Sequence, residues 1–494
     1  MAGGDRNHFL RPRGTANRGY GRWLRRSTAS FVVLLLLLAG VSFQFDLGTR
    51  WFGWEYPSPL TEPAKVLPPP GLTLPSPAAA QPVAEESPAV DASPAKVRKA
   101  VAKLVTRKKL GAHVAVAVDQ LSDGTEVYRH GADLVTPAST MKLVTTVAAL
   151  EALGPDHRFR TTVRTGSTPG QIVLVGGGDP LLGRAPADPG DVYPPRADVR
   201  TLAVATAKAL KAAGRTSVQV RYDTSLFAGP AVSPDWKPSY VIDGVVSPIS
   251  PLWVDEGVDA GSGLRVQDSA AAAARVFANM LAKQNITVRG KPQTGSPPVD
   301  AIELAGVESA PLGEIVQWVL EVSDNEAAEV LFRHVAIAEG RPASFDGAAL
   351  AVQGVLRRLG IDTTGARILD GSGLARQNRL TPETLLSVLE LAASEDHPGL
   401  RSVAVDLPVA GFTGSLAYRF QTGDDDGLGR VRAKTGTLSG VQGLAGIVTD
   451  RDGTVMSFVA VADRVKLPNT LDARATLDEI AAALAGCSCA GSTT

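Results

Sequence analysis

A chain of 494 residues, 44% apolar and 20% charged, is too long for one ordinary domain and can bury a large core. Its fifty basic and fifty acidic side chains cancel, which gives no reason to expect a nucleic-acid partner. The only cysteines, Cys487 and Cys489, are separated by one residue; a bridge over that spacing is strained, so no disulfide framework is expected to hold the fold.

The N-terminus carries the first directional signal. Arg6, Arg11, Arg13, Arg18, Arg22, Arg25 and Arg26 precede the apolar run Ala29 to Phe45. As a helix that run extends roughly 25 Å, a little short of a hydrocarbon core of about 30 Å. Trp23 before it and Trp51, Phe52 and Trp54 after it suit the two interfaces. The expectation is a basic cytoplasmic segment at 1–28, a membrane-spanning anchor at 29–45 and an exported remainder. A cleavable signal peptide is the competing reading, because Ala39 and Gly40 are small. From Tyr56 to Pro94 the chain holds eleven of its 34 prolines and has no apolar periodicity, so 46–94 reads as an extended spacer.

Folded sequence is expected from Ala95. "VAVAVDQLSDGTEVYRHGAD" gives two alternating strands joined by a turn at Asp123-Gly124. A helix then opens at Ser139 in "STMKLVTTVAALEAL". From 159 to 298 the text changes character, with strand-like "QIVLVGGGDPLL" and a helical "TLAVATAKALKAAG", and reads as an inserted lobe. Helices resume in "APLGEIVQWVLEVSDNEAAEVLFRHVA", and the C-terminal part supplies "RVRAKTGTLSG", "VQGLAGIVTD" and "TVMSFVAVAD" before a final helix. Strands at both ends of 95–158 plus 299–494, with helices between them, predict an α/β sheet covered by helices.

Three short patches carry chemistry. Ser139 and Lys142 stand one helical turn apart on one face. A serine hydroxyl needs a neighbour to take its proton, and a lysine does so only when burial or another cation lowers its pKa. Alone the pattern is weak, because Ser-x-x-Lys occurs roughly once by chance in a chain this long. A second copy, Ser93 to Lys96, sits in the spacer and opens no long apolar helix. Ser323-Asp324-Asn325 suits a helix cap, yet also suits a proton relay at Ser323 and an amide holder at Asn325. Lys434-Thr435-Gly436-Thr437 starts a strand series, where a solvated edge lysine is the plain alternative. The three in this order and context form a specific signal.

On these motifs the chain resembles the penicillin-binding proteins and serine β-lactamases. The gaps of 184 residues from Ser139 to Ser323 and 111 from Ser323 to Lys434, counted from the numbering, set it apart from class A β-lactamases, whose first gap is far shorter. No Glu-x-x-Leu-Asn follows the Ser-Asp-Asn element. "GGGDPLL", "DGSGLARQNRLTP" and "LPVAGFTGSLAYRF" resemble the D-alanyl-D-alanine carboxypeptidase/endopeptidase family, the class C penicillin-binding proteins of peptidase family S13, over about residues 100 to 485.

The resemblance implies an antiparallel sheet covered by helices, with a large lobe between the first and second motifs. It implies acyl transfer on peptidoglycan stem peptides, with Ser139 as nucleophile, Lys142 as base, and Ser323 with Lys434 carrying a proton to the departing D-alanine. The backbone N–H groups of Ser139 and Thr437 form the oxyanion hole. Lys434, Thr435 and Thr437 hold the terminal carboxylate and Asn325 a substrate amide. Arg376 matches an arginine that in some relatives meets the far end of the peptide, with a surface ion pair as its alternative. Trp236 matches a substrate-contacting tryptophan, and Ser239 stands near the place of a relative's aspartate. β-Lactams are expected to acylate Ser139. Asp370 is expected to fix its loop through its own backbone. No metal site or cofactor is predicted: the histidines lack ligand spacing, and Gly176-Gly177-Gly178 lacks the lysine and helix of a phosphate loop. A β-lactamase and a non-catalytic β-lactam sensor are the alternatives of other classes.

Overall fold

β1 (Val114–Gln120), apolar from Val114 to Val118, and β2 (Glu126–Gly131) form a hairpin whose turn is closed by Asp123 Oδ1 accepting from Thr125 N at 3.0 Å. This is a computed structural model that describes residues 90–491 apart from 189, 191 and 422–424. The basic segment, the apolar run at 29–45 and the spacer up to residue 89 lie outside the described residues. Among those described, no helix is long and apolar enough to cross a membrane.

β3 (Arg160–Thr165) to β8 (Glu303–Glu308) belong to the lobe, and β9 (Val431–Leu438), β10 (Val441–Thr449) and β11 (Val455–Ala462) return to the first sheet. That sheet is antiparallel, in the order β2-β1-β11-β10-β9. β1 and β11 pair from Val114↔Ala462 to Gln120↔Met456, so the two ends of the domain meet at its centre. Both faces are covered, as the nearly unbroken apolar strands require. Val116, Val118, Phe458 and Ala460 face α1 (Pro94–Val101) and a C-terminal helix, Thr470–Ala485. Ala115, Ala117, Val459 and Val461 face the larger core.

That larger core is built around α2 (Met141–Leu153), whose residues from Met141 to Leu150 are all buried. A helix apolar on every side belongs in the interior, and it takes Lys142 there with it. Three further helices contribute to this core: Leu312–Glu321, Asn325–Ala338 and Phe345–Arg358.

The lobe has its own six-stranded mixed sheet and its own core around Ile172, Leu174, Leu202 and Phe277. Its last strand, Glu303–Glu308, pairs with β3, so the sheet runs past the expected limit at 298. Sequence reading ends the lobe at 298, ahead of the resuming helices, but this return strand is needed to cover the edge of β3.

Two other expectations change. Folded chain begins before Ala95: Ala92 bridges Ala490, and Ser93 N donates to Cys489 O at 2.7 Å. Cys487 and Cys489 are joined as a disulfide despite their spacing; their Cα atoms lie 5.1 Å apart, inside the range that such a bond spans.

Candidate active site

Ser139 does not open the α-helix. It sits in a 3-10 turn, Ala138–Thr140, and the α-helix starts at Met141. Ala138 has φ 47°, a left-handed conformation that costs a non-glycine residue about 1–3 kcal/mol. Asp463, at the end of β11, anchors the approach by accepting from Thr136 N at 2.8 Å. Ser139 is half-buried, whereas Lys142 is fully buried.

The Lys142 amine has three partners. Nζ donates to Ser139 Oγ at 3.1 Å, to Asn325 Oδ1 at 2.8 Å and to the Ser372 carbonyl at 2.9 Å. Two of these oxygens can only accept. In the neutral amine they take both N–H groups and leave the lone pair facing the Ser139 hydroxyl. Burial pushes Lys142 down to about 8, against the opposing pull of Glu329, Asp324, Asp370 and Glu326.

Asn325 begins the helix Asn325–Ala338, which Asp324 caps by accepting from Ala327 N at 2.9 Å. Asp324 also accepts from Trp318 Nε1 at 2.8 Å. Asn325 Nδ2 donates to Val245 O of the lobe at 2.9 Å, so both ends of its amide are taken by protein groups. Ser323 is half-buried with φ 62°, and it is not among the partners of Lys142. Behind this turn the carboxylates of Glu256, Asp324 and Glu326 lie within 4.8 Å of one another, a grouping that sequence reading missed. Arg265 pairs with Glu326 at 2.7 Å, and burial holds Glu256 up at about 9.

β9 is an edge strand, yet Lys434 is fully buried rather than solvated. Its Nζ donates to Thr435 O at 3.2 Å, and its pKa is well below the ordinary lysine value because of burial first and Lys142 second. Thr435 Oγ1 donates to Ser415 Oγ at 3.0 Å, and Thr437 is exposed two residues along the strand. Gly436 is what allows the close approach: a Cβ there would lie 2.7 Å from Pro137 O, in the segment carrying Ser139.

The loop from Asp370 to Asn378 closes the fourth side. Asp370 is fully buried and accepts from Gly373 N (3.0 Å), Ala375 N (2.6 Å), Asn378 Nδ2 (2.7 Å) and Trp236 Nε1 (2.8 Å). It fixes the loop through the loop's own backbone, as expected. Trp236, buried in this contact, turns its N–H to Asp370 rather than to open space. Gly373 has φ 85°, and a Cβ on it would fall 1.8 Å from Ala138 O. Arg376 is half-buried on a recess of about 510 Å³ shared with Lys237, Ser439 and Lys466, and its Nη1 has no hydrogen-bond partner among the described residues.

Ser139, Lys142 and Asn325 are therefore joined by hydrogen bonds, Lys434 lies within electrostatic reach, and Thr437 follows the glycine that packs on the Ser139 turn. Sequence reasoning missed the Ser372 carbonyl, Glu329 and Ser415. None has a local signal, since a backbone carbonyl is invisible in sequence and a glutamate in an amphipathic helix reads as surface.

The model of the D-Ala-D-Ala carboxypeptidase 3 (S13) family matches residues 97–262 and 259–484. The chain is 35% identical to the carboxypeptidase DacB of Mycolicibacterium smegmatis over 409 residues, 80% of this chain and 86% of that protein. Its fold matches penicillin binding protein 4 of Haemophilus influenzae with TM-score 0.64 at 24% identity, over 78% of this chain and 97% of the other. A structure of that protein complexed with a β-lactam matches with TM-score 0.59 at 25% identity and the same coverage. With most of its length matched, the chain belongs to the S13 family of D-Ala-D-Ala carboxypeptidases.

Proposed function

We propose that this protein is a serine-type D-Ala-D-Ala carboxypeptidase of peptidoglycan stem peptides, with endopeptidase action where the leaving amine belongs to a cross-link. The observation that carries the reading is the fully buried Lys142 amine 3.1 Å from the Ser139 hydroxyl, with its other two partners fixed.

As a free amine, Lys142 takes the Ser139 proton while Oγ attacks the carbonyl between the two terminal D-alanines. The backbone N–H groups of Ser139 and Thr437 receive the oxyanion, each such donor being worth about 3 kcal/mol. The C–N bond breaks as the leaving amine takes a proton through Ser323, and D-alanine departs. Water then cleaves the acyl-enzyme and frees the shortened peptide.

Lys434, Thr435 and Thr437 hold the terminal carboxylate, with Ser415 beside Thr435. The arriving carboxylate gives Lys434 the counter-charge it lacks in its buried position. A charged Lys434 in turn disfavours a charged Lys142, so substrate helps to free the base. Asn325 orients Lys142, and the second N–H of its Nδ2 serves a substrate carbonyl while the first stays on Val245 O. The recess at Arg376, Lys237 and Lys466 takes the far end of the stem peptide. β-Lactams, which present a similar carboxylate and carbonyl, acylate the same serine.

The arginine-rich segment before the apolar run at 29–45 supports a single-pass anchor in the cell membrane, with the catalytic part outside the cytoplasm. The purified protein is expected to release one D-alanine from a stem pentapeptide ending in D-Ala-D-Ala, and Ser139→Ala is expected to release none. Equal release by the variant would overturn the assignment.

A further inference from the structure

Every backbone N–H of the short segment Gly371-Ser372-Gly373 points at a buried carboxylate. Gly371 N donates to both oxygens of Glu329 at 3.1 Å, and Ser372 N donates to Glu329 Oε1 at 2.8 Å. Gly373 N donates to Asp370 Oδ1 at 3.0 Å. On the other side of the segment, Thr145 Oγ1 of α2 holds Gly371 O at 2.7 Å, and Ser372 O accepts from Lys142. The peptide between Ser372 and Gly373 is thus polarised end to end, with a carboxylate at its N–H and the catalytic amine at its C=O.

Resting on the acyl-enzyme reading above, we propose that Glu329 is a positioning residue for acylation. Through the Gly371 and Ser372 N–H groups it holds the Ser372 carbonyl against Lys142, and when ionised it sets a negative charge near that amine without touching it. A carboxylate in direct contact would lock Lys142 as an ammonium. No carboxylate at all would leave two buried amines facing each other.

The surrounding charges agree with that role. The groups acting on Lys142 are Glu329 and Glu326 from the helix Asn325–Ala338, Asp324 at its cap, and Asp370 from the loop. Lys434, on β9, feels Lys142 in turn. Glu329 is the largest of the forces that oppose the effect of burial on Lys142. Burial and Asp370 push Glu329 up to about 8 against the pull of its Ser372 and Gly371 donors, so its charge appears in the same pH range in which Lys142 gives up its proton. Glu329→Gln keeps an acceptor for the two N–H groups but removes the charge. Without it, Lys142 loses its proton at lower pH.

The test is the second-order rate of acylation of the full-length protein by a fluorescent penicillin, followed from acid to alkaline pH. Glu329→Gln is expected to keep a similar plateau while the acid-side midpoint falls by up to about one pH unit, a change of up to tenfold in the proton equilibrium. Asp370→Asn removes the carboxylate of the loop itself and is expected to move the midpoint the same way, with a lower plateau because the loop loses acceptors, which keeps the test usable if the Gln variant does not fold. Thr145→Val loosens the segment without changing any charge; it is expected to lower the plateau and leave the midpoint in place. Midpoints in both carboxylate variants that coincide with wild type overturn the inference, as does an equal shift in Thr145→Val. Labelling that survives in Ser139→Ala overturns the acyl-enzyme reading instead, so the two failures are distinct.

Discussion

Gly436→Ala tests whether β9 closes on the serine turn as tightly as the site requires. The added methyl would lie 2.7 Å from Pro137 O, 3.3 Å from Thr140 Cγ2 and 3.4 Å from Ala138 Cβ. Reaching an ordinary van der Waals separation from that oxygen takes a movement of about 0.7 Å. β9 is the last strand of its sheet, and beyond β10 it is held at its start, where Val431 and Ala433 bond the Pro408–Ala410 segment; its end at Gly436 is therefore the part free to shift, and Thr437 shifts with it. A misplacement of about 1 Å costs catalysis roughly 100-fold, so acylation by a fluorescent penicillin should slow between about 10- and 100-fold. Overpacking should also lower stability by about 1–3 kcal/mol, read from the thermal or denaturant midpoint. Wild-type acylation in a variant of wild-type stability would refute the close approach, and with it the place given to the Thr437 N–H.

Trp236→Phe removes one of four donors from the buried Asp370 carboxylate and leaves a smaller ring behind. It should cost about 2–4 kcal/mol in denaturant unfolding, from the lost hydrogen bond and the packing defect together, and slow acylation as the loop loosens. Far from the site, Glu390 is pushed up to about 7 and Asp119 to about 6, in both cases chiefly by burial. A carboxyl raised in the folded state holds its proton there, so its contribution is complete below the ordinary value of 4.5 and is lost as pH rises through about 7. Glu390→Gln should therefore be more stable than wild type at alkaline pH, by about 1–2 kcal/mol after solvent screening, and no more stable in acid. A variant that gains stability only in acid would reverse the sign.

Much of this arrangement was legible in the amino-acid sequence because its parts are local. Ser139 and Lys142 share a helical turn, and the apolar residues after them predicted the buried helix that desolvates the lysine. The Lys-Thr-Gly patch stood at the head of a strand series that folds as an antiparallel sheet. What escaped reading depends on contacts between distant segments. Glu329 falls in a helix whose pattern reads as amphipathic, and only the turn at Gly371 makes it an acceptor for two backbone N–H groups. Trp236 has no sequence feature that ties it to Asp370, 134 residues away. The 3-10 turn at Ser139 escaped for a different reason: a helix start reads alike in sequence whether its first turn is tight or open. The spacing of Cys487 and Cys489 suggests a strained bridge, yet spacing alone does not fix the separation of two Cα atoms.

The most direct measurement is the mass of the peptide containing Ser139 after reaction with a penicillin. One covalent adduct per chain is expected, located on Ser139 and absent from Ser139→Ala. An adduct on any other residue, or undiminished labelling of that variant, would contradict it.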